Sequence, residues 1–293
     1  MSAERAWDGL VRPCGRVPLP QSFAYGEALA GLGRRVARLA GPGGAVVAQA
    51  ACRWIGALPL VLVSRGPLSV PGQDAAAAAW DLARAVREQF GRGLLLWSPP
   101  RPPQSCRLPV VTGHATCWID LAPSPAVLRA ALDGKWRNQL LRAEAQCLVV
   151  RERHHGPELA WLAARHRQHR REVGFRALPL SFLERIAAHS PGCRDRLVLV
   201  ALAGGQPVAG IWLQIHHGSA TYLIGYADRE GRRLDAMRLL LWRGMLALQE
   251  RGVRWLDLGG IATDRAPGLT RFKLGMGGSV SVEAGTYFRP LLR

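Results

Sequence analysis

Lysine is almost absent from this chain: of its 39 basic residues, only Lys135 and Lys273 are lysines and the rest are arginines. Acidic residues are also scarce, numbering 21, so the formal net charge at pH 7 is +18. This excess predicts attraction to polyanions such as nucleic acid, a nucleotide-bearing substrate or an anionic membrane surface. A GC-rich genome, which enriches arginine without any binding role, would explain part of the same excess.

Three further absences narrow the class of protein. Apolar runs such as IGALPLVLV stop at about nine residues, whereas a membrane-spanning helix needs about 20. The N-terminal stretch MSAERAWDGLVRPCGR has no apolar core and is not typical of a signal peptide. The six cysteines include no CxxC pair, so we expect reduced thiols, no disulfide framework and no metal site. We therefore expect a cytoplasmic protein without a transmembrane segment.

The first clear helix signal is Ser22, a favourable N-cap residue followed by apolar residues at helical spacing. These apolar residues are Tyr25, Leu29, Leu32, Val36 and Leu39. The spacing predicts one helix that continues to residue 39 and turns this stripe toward a core. It also places Arg34 off the stripe, facing water or a ligand.

The remaining pattern contains the same order of elements twice: paired strands, a helix, a strand, a loop and a strand. A helix is predicted over about 74–90 in the first half. In the second half, strands joined at AGGQ and HHGS predict an antiparallel meander, and an almost wholly apolar helix at 236–251 should cover a sheet. We predict an α/β (α+β) chain with domains 1–122 and 123–293, each a mixed, mostly antiparallel sheet with packed helices.

Several segments stand in a defined order along most of the chain. They are LPQSFAYGEAL near the start, RGPL at 65–68, WIDL at 118–121, LRAALDGKWRNQLLRAEAQ at 128–146, REVGFRALPLSFLERI, and LLLWRGMLALQERGVRWLDLGG followed by GLTRFKLGMGG. In order and spacing they resemble the Fem family of peptidoglycan-bridge aminoacyl transferases. The resemblance implies two domains of the GNAT acetyltransferase type and an acyltransferase that uses aminoacyl-tRNA.

The resemblance places Phe272 and Lys273 at the reacting centre. An amine that attacks an ester or thioester forms a tetrahedral intermediate with an oxyanion, and losing one donor to it costs about 2.7–4 kcal/mol. A lysine ammonium is a compact charge and an arginine is a wide planar fork, which explains why a lysine is kept here. Gly275 and the glycines after it would let the backbone approach a ligand closely. A surface lysine beside a turn is the alternative.

Lys135 falls at the position of the family's other lysine, and Arg142 lies two helical turns further along the same face. Two basic groups on one face can hold the phosphate or carboxylate of an acceptor substrate. A solvated helix face explains them equally well.

A basic run at 165–171 contains Arg170 and has no acidic residue until Glu172. Such a run repels itself and suits a phosphate-rich ligand, although runs of this kind are usually solvated. The resemblance implies a nucleotide-linked acceptor held by basic groups, with Arg176 as the matching position and Arg34 as a weaker candidate.

Two aspartates and two tyrosines complete the set of candidates. Asp257 and Asp120 stand at strand ends, where a carboxylate can orient an amine, act as a base, or cap the following loop. Tyr222 and Tyr226 lie on one face of the meander, and core packing is the simpler interpretation for both.

The donor is suggested by a missing motif. An acetyl-CoA enzyme needs a glycine-rich loop whose amides grip the pyrophosphate at a helix N-terminus, but REGRRLDAMRLL lacks those glycines and contains Asp235. No Ser, Cys or His set resembles a nucleophilic triad, so we expect direct transfer of an aminoacyl group from tRNA to an amine, without a cofactor and by a monomer. The amine acceptor would be a peptidoglycan precursor or a peptide-like compound. An acyl-CoA-dependent enzyme and a non-catalytic RNA-binding protein remain the alternatives.

Overall fold

The computed structural model describes residues 2–72, 75–99, 109–113, 115–174, 177–189, 195–262 and 266–291, excepting the side chains of 42 and 75–81. The helices are α1 Ala3–Val11, α2 Phe23–Ala30, α3 Ala75–Phe90, α4 Pro125–Ala130, α5 Gly134–Glu144, α6 Pro157–Val173, α7 Leu180–Ala188, α8 Arg229–Arg233, α9 Ala236–Glu250 and α10 Pro267–Leu274. The strands are β1 Arg35–Ala40, β2 Val46–Ile55, β3 Leu58–Val63, β4 Leu68–Ser69, β5 Gly93–Trp97, β6 Val111–Thr112, β7 Ala115–Asp120, β8 Val149–Glu152, β9 Arg196–Ala203, β10 Gln206–His216, β11 Ser219–Ala227, β12 Trp255–Ile261, β13 Ser279–Val282 and β14 Gly285–Leu291. Contacts group them into two compact units: Met1–Thr116 with His216–Gly218 and Ser281–Arg293, and Cys117–Ile215 with Ser219–Val280.

The first unit is built on a mixed sheet with the strand order β1-β2-β3-β5-β14-β6. β1, β2 and β3 are antiparallel neighbours, whereas β3 and β5 run parallel. A parallel pair needs a crossover connection, and α3 supplies it. The buried face of α3, including Val86 and Phe90, packs against Val61, Leu95 and Trp97 of the sheet.

The helix predicted to continue to residue 39 is wrong beyond its second turn. α2 ends at Ala30, and residues 35–40 form β1. Gly33 has a φ of +76° and lies in the turn between them, and glycine disfavours helix by about 1 kcal/mol relative to alanine. Leu32 is therefore 51% exposed instead of facing a core.

The division of the chain also differs from the predicted domains 1–122 and 123–293. β14 pairs antiparallel with β5 of the first sheet, with Tyr287 opposite Trp97. Tyr287 is buried in the first unit's core. The second unit begins at Cys117 because β7 belongs to the second sheet.

The second unit has a sheet of order β13-β7-β12-β11-β10-β9-β8. β9, β10 and β11 lie side by side as the predicted meander, and α9 leads from β11 to β12, which run parallel. α9 is buried on most of its surface, as its composition predicts, through Leu240, Leu241, Met245 and other residues. The predicted fold class, α/β with mixed sheets and packed helices, is confirmed.

Candidate functional site

The lysine of the glycine-rich segment lies inside the second unit, where the end of β12 meets α10. Lys273 is only 7% exposed, and its Nζ donates a hydrogen bond to the carbonyl oxygen of Gly260 at 2.7 Å. Burial lowers the pKa of Lys273, while the nearby Asp257 and Cys117 act in the opposite direction. Lys273 is therefore not a surface lysine beside a turn.

The loop that receives the ammonium group is held by two side chains. Asp257 is fully buried, and its Oδ1 accepts a hydrogen bond from the backbone N–H of Gly259 at 2.7 Å. The hydroxyl of Thr270 donates to the carbonyl of Ala262 at 3.0 Å and accepts from its N–H at 3.1 Å. These contacts fix the end of β12 against α10, so the cation has a defined position.

The glycines after Lys273 make room for protein atoms. A Cβ at position 275 would lie 3.0 Å from Trp136, and one at position 277 would lie 2.7 Å from the carbonyl oxygen of Ala131. Gly277 also has a φ of +79°, a conformation that favours glycine. Gly275 and Gly277 therefore let α10 and its following turn pack closely against α4 and α5. The close approach of this backbone to a ligand stays a prediction.

Phe272 forms one wall of a cavity of about 310 Å³ beside this corner. Its ring lies 6.0 Å from the ring of Trp136, centroid to centroid, and the guanidinium carbon of Arg238 lies 5.2 Å from the Phe272 centroid. Other residues that line the cavity are Tyr222, Tyr226, Met237, Leu269 and His169. The cavity thus has aromatic and aliphatic walls with a cation at one side.

Charge at this cavity is organised around one carboxylate. Asp235 stands at the N-terminus of α9 with a φ of +52°, and it accepts hydrogen bonds from Arg142 and Arg238, each at 2.9 Å. Two guanidinium groups on one carboxylate leave a net positive charge. Within the described residues, the buried Nε of Arg238 and the buried Nε1 of Trp136 have no hydrogen-bond partner. Unpaired buried donors are costly.

The structure brings together several of the predicted residues. Phe272, Lys273, Asp257 and Gly275 belong to one corner, and Arg142 reaches the cavity through Asp235. Asp257 caps the loop after β12, which was one of the two interpretations of this residue.

Other predicted residues lie elsewhere. Lys135 is exposed in the first turn of α5, and Arg170 is half-buried on α6 with its Nη1 at 3.5 Å from the carbonyl oxygen of Ala177. Arg34 lies in the first unit, at a separate cavity of about 310 Å³. Arg176 lies outside the described residues. Asp120 caps its loop by accepting from the N–H of Ala122 at 3.0 Å.

Sequence reasoning missed two tyrosines and one arginine of the cavity. Tyr222 and Tyr226 line it instead of packing only in the core, and burial raises the pKa of Tyr222. A Cβ at position 225 would lie 1.6 Å from the Tyr222 hydroxyl oxygen, so the glycine there makes room for the ring. The signals were the period-two spacing of the tyrosines with Gly225 between them, and Arg238 three residues after Asp235.

Two classes of feature are absent from the part of the chain that the structure describes. It contains no group of His, Cys, Asp or Glu side chains able to hold a metal ion. It also contains no helix that is long and apolar enough to cross a membrane.

Comparison with known proteins gives the fold. Residues 134–274 match the family of the acetyltransferase (GNAT) domain, and no curated protein matches the sequence significantly. The crystal structure of FemX has a TM-score of 0.79 at 15% identity, covering 99% of this chain and 96% of that one. L-PGS from Bacillus licheniformis has a TM-score of 0.58 at 13% identity, with coverage of 99% and 92%. A tandem GNAT protein from the clavulanic acid biosynthesis pathway has a TM-score of 0.52 at 15% identity, with coverage of 99% and 97%.

The site described above lies within the matched domain, since α5, β12 and Lys273 all fall between residues 134 and 274. The match of residues 134–274 to the acetyltransferase (GNAT) domain supports an acyltransferase. The chain therefore has a Fem-type GNAT fold, and its residues 134–274 match the acetyltransferase (GNAT) domain.

Proposed function

We propose that this chain transfers an aminoacyl group from aminoacyl-tRNA to an amine acceptor and forms a peptide bond by direct transfer. The observation that carries the proposal is the buried ammonium of Lys273 on α10, the helix whose preceding residue, Phe272, lines the cavity. Within the described residues no carboxylate lies within ion-pair distance of it, and a buried cation without a direct ion pair is costly to maintain. Such costs concentrate at functional sites.

The reaction that would use this cation is aminolysis, in which an amine attacks the carbonyl carbon of an ester. The acceptor nitrogen forms a C–N bond with the donor's carbonyl carbon, the carbonyl oxygen becomes an oxyanion, and the ester C–O bond then breaks. The proton lost by the amine leaves with the tRNA hydroxyl. Lys273 has three N–H donors, of which one is directed at Gly260, so two remain for the oxyanion. No cofactor is required, because the ester is already activated.

Asp257 has a supporting role in this scheme. It is fully buried and bonded to the N–H of Gly259, so it does not touch the acceptor in this conformation. Its negative charge raises the pKa of Lys273 against the effect of burial. Asp257 thereby holds the loop and favours the charged form of the lysine.

The cavity suits the donor's amino-acid side chain and its linkage. A volume of about 310 Å³ lies at the lower end of the range for small-molecule pockets. Phe272, Tyr222 and Tyr226 offer aromatic surfaces, and the guanidinium of Arg238, which lines the cavity, offers N–H donors to a ligand oxygen.

The N-terminus of α9 favours tRNA over acyl-CoA as the donor. A pyrophosphate is normally bound by free amides at a helix N-terminus, but here the carboxylate of Asp235 stands at that position and engages Arg142 and Arg238. The formal charge of +18 favours a polyanionic donor. An acyl-CoA-dependent enzyme is the second candidate, favoured by the acetyltransferase domain match. The buried lysine argues against a purely RNA-binding role.

A donor screen tests the proposal. Purified protein is incubated with radiolabelled aminoacyl-tRNAs, and separately with acyl-CoAs, each with a pool of amine acceptors that includes nucleotide-linked peptidoglycan precursors. Lys273→Met should lower the rate of transfer about 100- to 1000-fold, whereas Lys135→Met, the change at the other lysine, should at most raise the KM for the acceptor. Transfer only from acyl-CoA would replace the proposal by the second candidate. Tight tRNA binding without any turnover would support the RNA-binding alternative.

The sedimentation of the active protein and its distribution between cytoplasmic and other cell fractions would test whether it works as a cytoplasmic monomer.

A further inference from the structure

Three loops lie at one end of the first unit's sheet. The hairpin between β2 and β3 turns there through Gly56, whose φ is +59°. Arg35, at the start of β1, pairs with Cys52 near the end of β2, and the start of β5 lies beside the start of β3. The loop before β1 and the loop before β5 therefore reach the same end of the sheet as the hairpin.

This end exposes large apolar side chains. Trp54 is 52% exposed, Ile55 51% and Leu58 43% on the hairpin, and Leu32 is 51% exposed in the loop before β1. We call these four residues the apolar tip. Ile55 and Leu58 are cross-strand partners and lie on one face of the hairpin, whereas Trp54, which pairs with Pro59, lies on the other face. Apolar side chains therefore project from both faces of the hairpin end. Exposed apolar clusters of this kind indicate a binding surface.

Three arginines lie on the same strands and loops as the apolar tip or beside them. Arg34, Arg53 and Arg92 are exposed, and in the described part of the chain none of them has an ion-pair partner. The stretches 31–35, 53–58 and 91–94 contain no acidic residue. The nearest acid along the chain from Arg92 is Glu88, whose Oε1 lies 4.0 Å from Arg84. The loops at this end therefore combine exposed apolar side chains with arginines and contain no acidic residue.

We propose that the apolar tip docks on an anionic phospholipid bilayer, with its apolar side chains entering the interface and its arginines on the headgroups. Tryptophan and aliphatic residues beside basic ones are the combination that binds such interfaces, because burial of apolar surface adds to attraction by anionic lipid. An RNA would engage the arginines but leave Ile55 and Leu58 in water. A second copy of the chain would bring the same arginines face to face in a two-fold contact, where they repel.

The test is vesicle binding by the full chain. Phosphatidylcholine vesicles with and without phosphatidylglycerol are sedimented with the wild-type protein, with the double variant Trp54→Ser/Ile55→Ser and with Arg53→Glu. Matched controls are Val127→Ser, at a valine that is 56% exposed on α4, and Arg243→Glu, at an exposed arginine on α9. The wild type should bind only the anionic vesicles, each tip variant should lower the partition coefficient about tenfold or more, and both controls should bind like the wild type.

Three results would overturn the proposal. The first is failure of the wild type to bind anionic vesicles. The second is unchanged binding by Trp54→Ser/Ile55→Ser, which would leave the arginines alone as a polyanion site; competition by tRNA would then identify RNA as the partner. The third is a concentration-dependent dimer in sedimentation velocity that the double variant abolishes, which would assign the tip to a second copy. Circular dichroism of the variants verifies that they are folded, so that lost binding is read correctly.

Discussion

Replacing Lys273 by methionine should separate catalysis from stability more sharply than any other single change. The substitution removes the hydrogen bond to the carbonyl of Gly260, and a hydrogen bond to a charged group contributes about 1.5–3 kcal/mol. It also replaces a buried cation by a neutral side chain. Burial disfavours the charged form of Lys273, as its lowered pKa indicates, so this part of the change should be stabilising. The two effects oppose each other, so the net change in the free energy of unfolding should stay below about 3 kcal/mol. The loss of an oxyanion donor should lower kcat about 100- to 1000-fold.

A second variant determines which role dominates. Lys273→Met leaves the buried Asp257 carboxylate without its nearby cation, and Lys273→Met/Asp257→Asn removes that charge as well. The double variant should regain thermal stability relative to Lys273→Met, because a neutral amide can still accept from the N–H of Gly259. It should not regain kcat. Tm from thermal unfolding and kcat and KM from transfer of radiolabelled aminoacyl groups measure the two effects. If stability and more than about a tenth of the activity return together, Lys273 holds the fold and has no part in the chemistry.

The charged form of Lys273 is the active one in this scheme, so kcat should fall as pH rises through its pKa. Because burial places that pKa below the ordinary 10.5, the alkaline limb of the kcat profile should lie below pH 10.5. The unfolded chain holds its proton up to the higher pKa, so between the two values the folded state should gain stability as pH rises. A profile that is flat to pH 10.5 would contradict the assignment.

Three other changes test separate parts of the structure. Burial holds the pKa of His216 well below 6.5, so as pH falls below about 6.5 the unfolded chain takes up a proton before the folded chain does, and the folded state loses stability. His216→Gln should therefore flatten the dependence of Tm on pH below about 6.5. The same dependence in the variant and the wild type would refute this role of His216. Gly277→Ala should cost more than about 2 kcal/mol, because it adds a clash with a carbonyl to an unfavourable φ. Gly252→Ala, with a φ of +71° and open space, should cost only about 1 kcal/mol. Arg238→Met should lower kcat/KM for the donor about 10- to 100-fold by removing a charged donor, while Arg243→Met should leave it unchanged; equal effects would exclude Arg238 from the site.

Local patterns in the sequence predicted many of the secondary-structure elements. The all-round apolar composition of 236–251 predicts a helix packed on most sides, and α9 is such a helix. The contrast of a single lysine within an arginine-rich C-terminal half directed attention to Lys273, and the structure buries it. These features are predictable because each depends on neighbours along the chain, through helical period, strand alternation and turn residues.

Only the tertiary structure decided which distant residues meet. Arg142 and Asp235 are 93 positions apart, and no local pattern pairs them. The closing strand β14 follows the second unit in sequence but pairs with β5 of the first sheet. Its Tyr287 lies opposite Trp97 and is buried in the first unit's core. Gly277 is glycine because the carbonyl of Ala131 occupies the space of a Cβ. The sequence by itself indicated most of the helical and extended segments, although not β1 at residues 35–40, and it determined where the basic and apolar residues stand along the chain. Packing between remote segments determined the cavity, because burial of a side chain depends on what surrounds it in three dimensions and not on what precedes it in the chain.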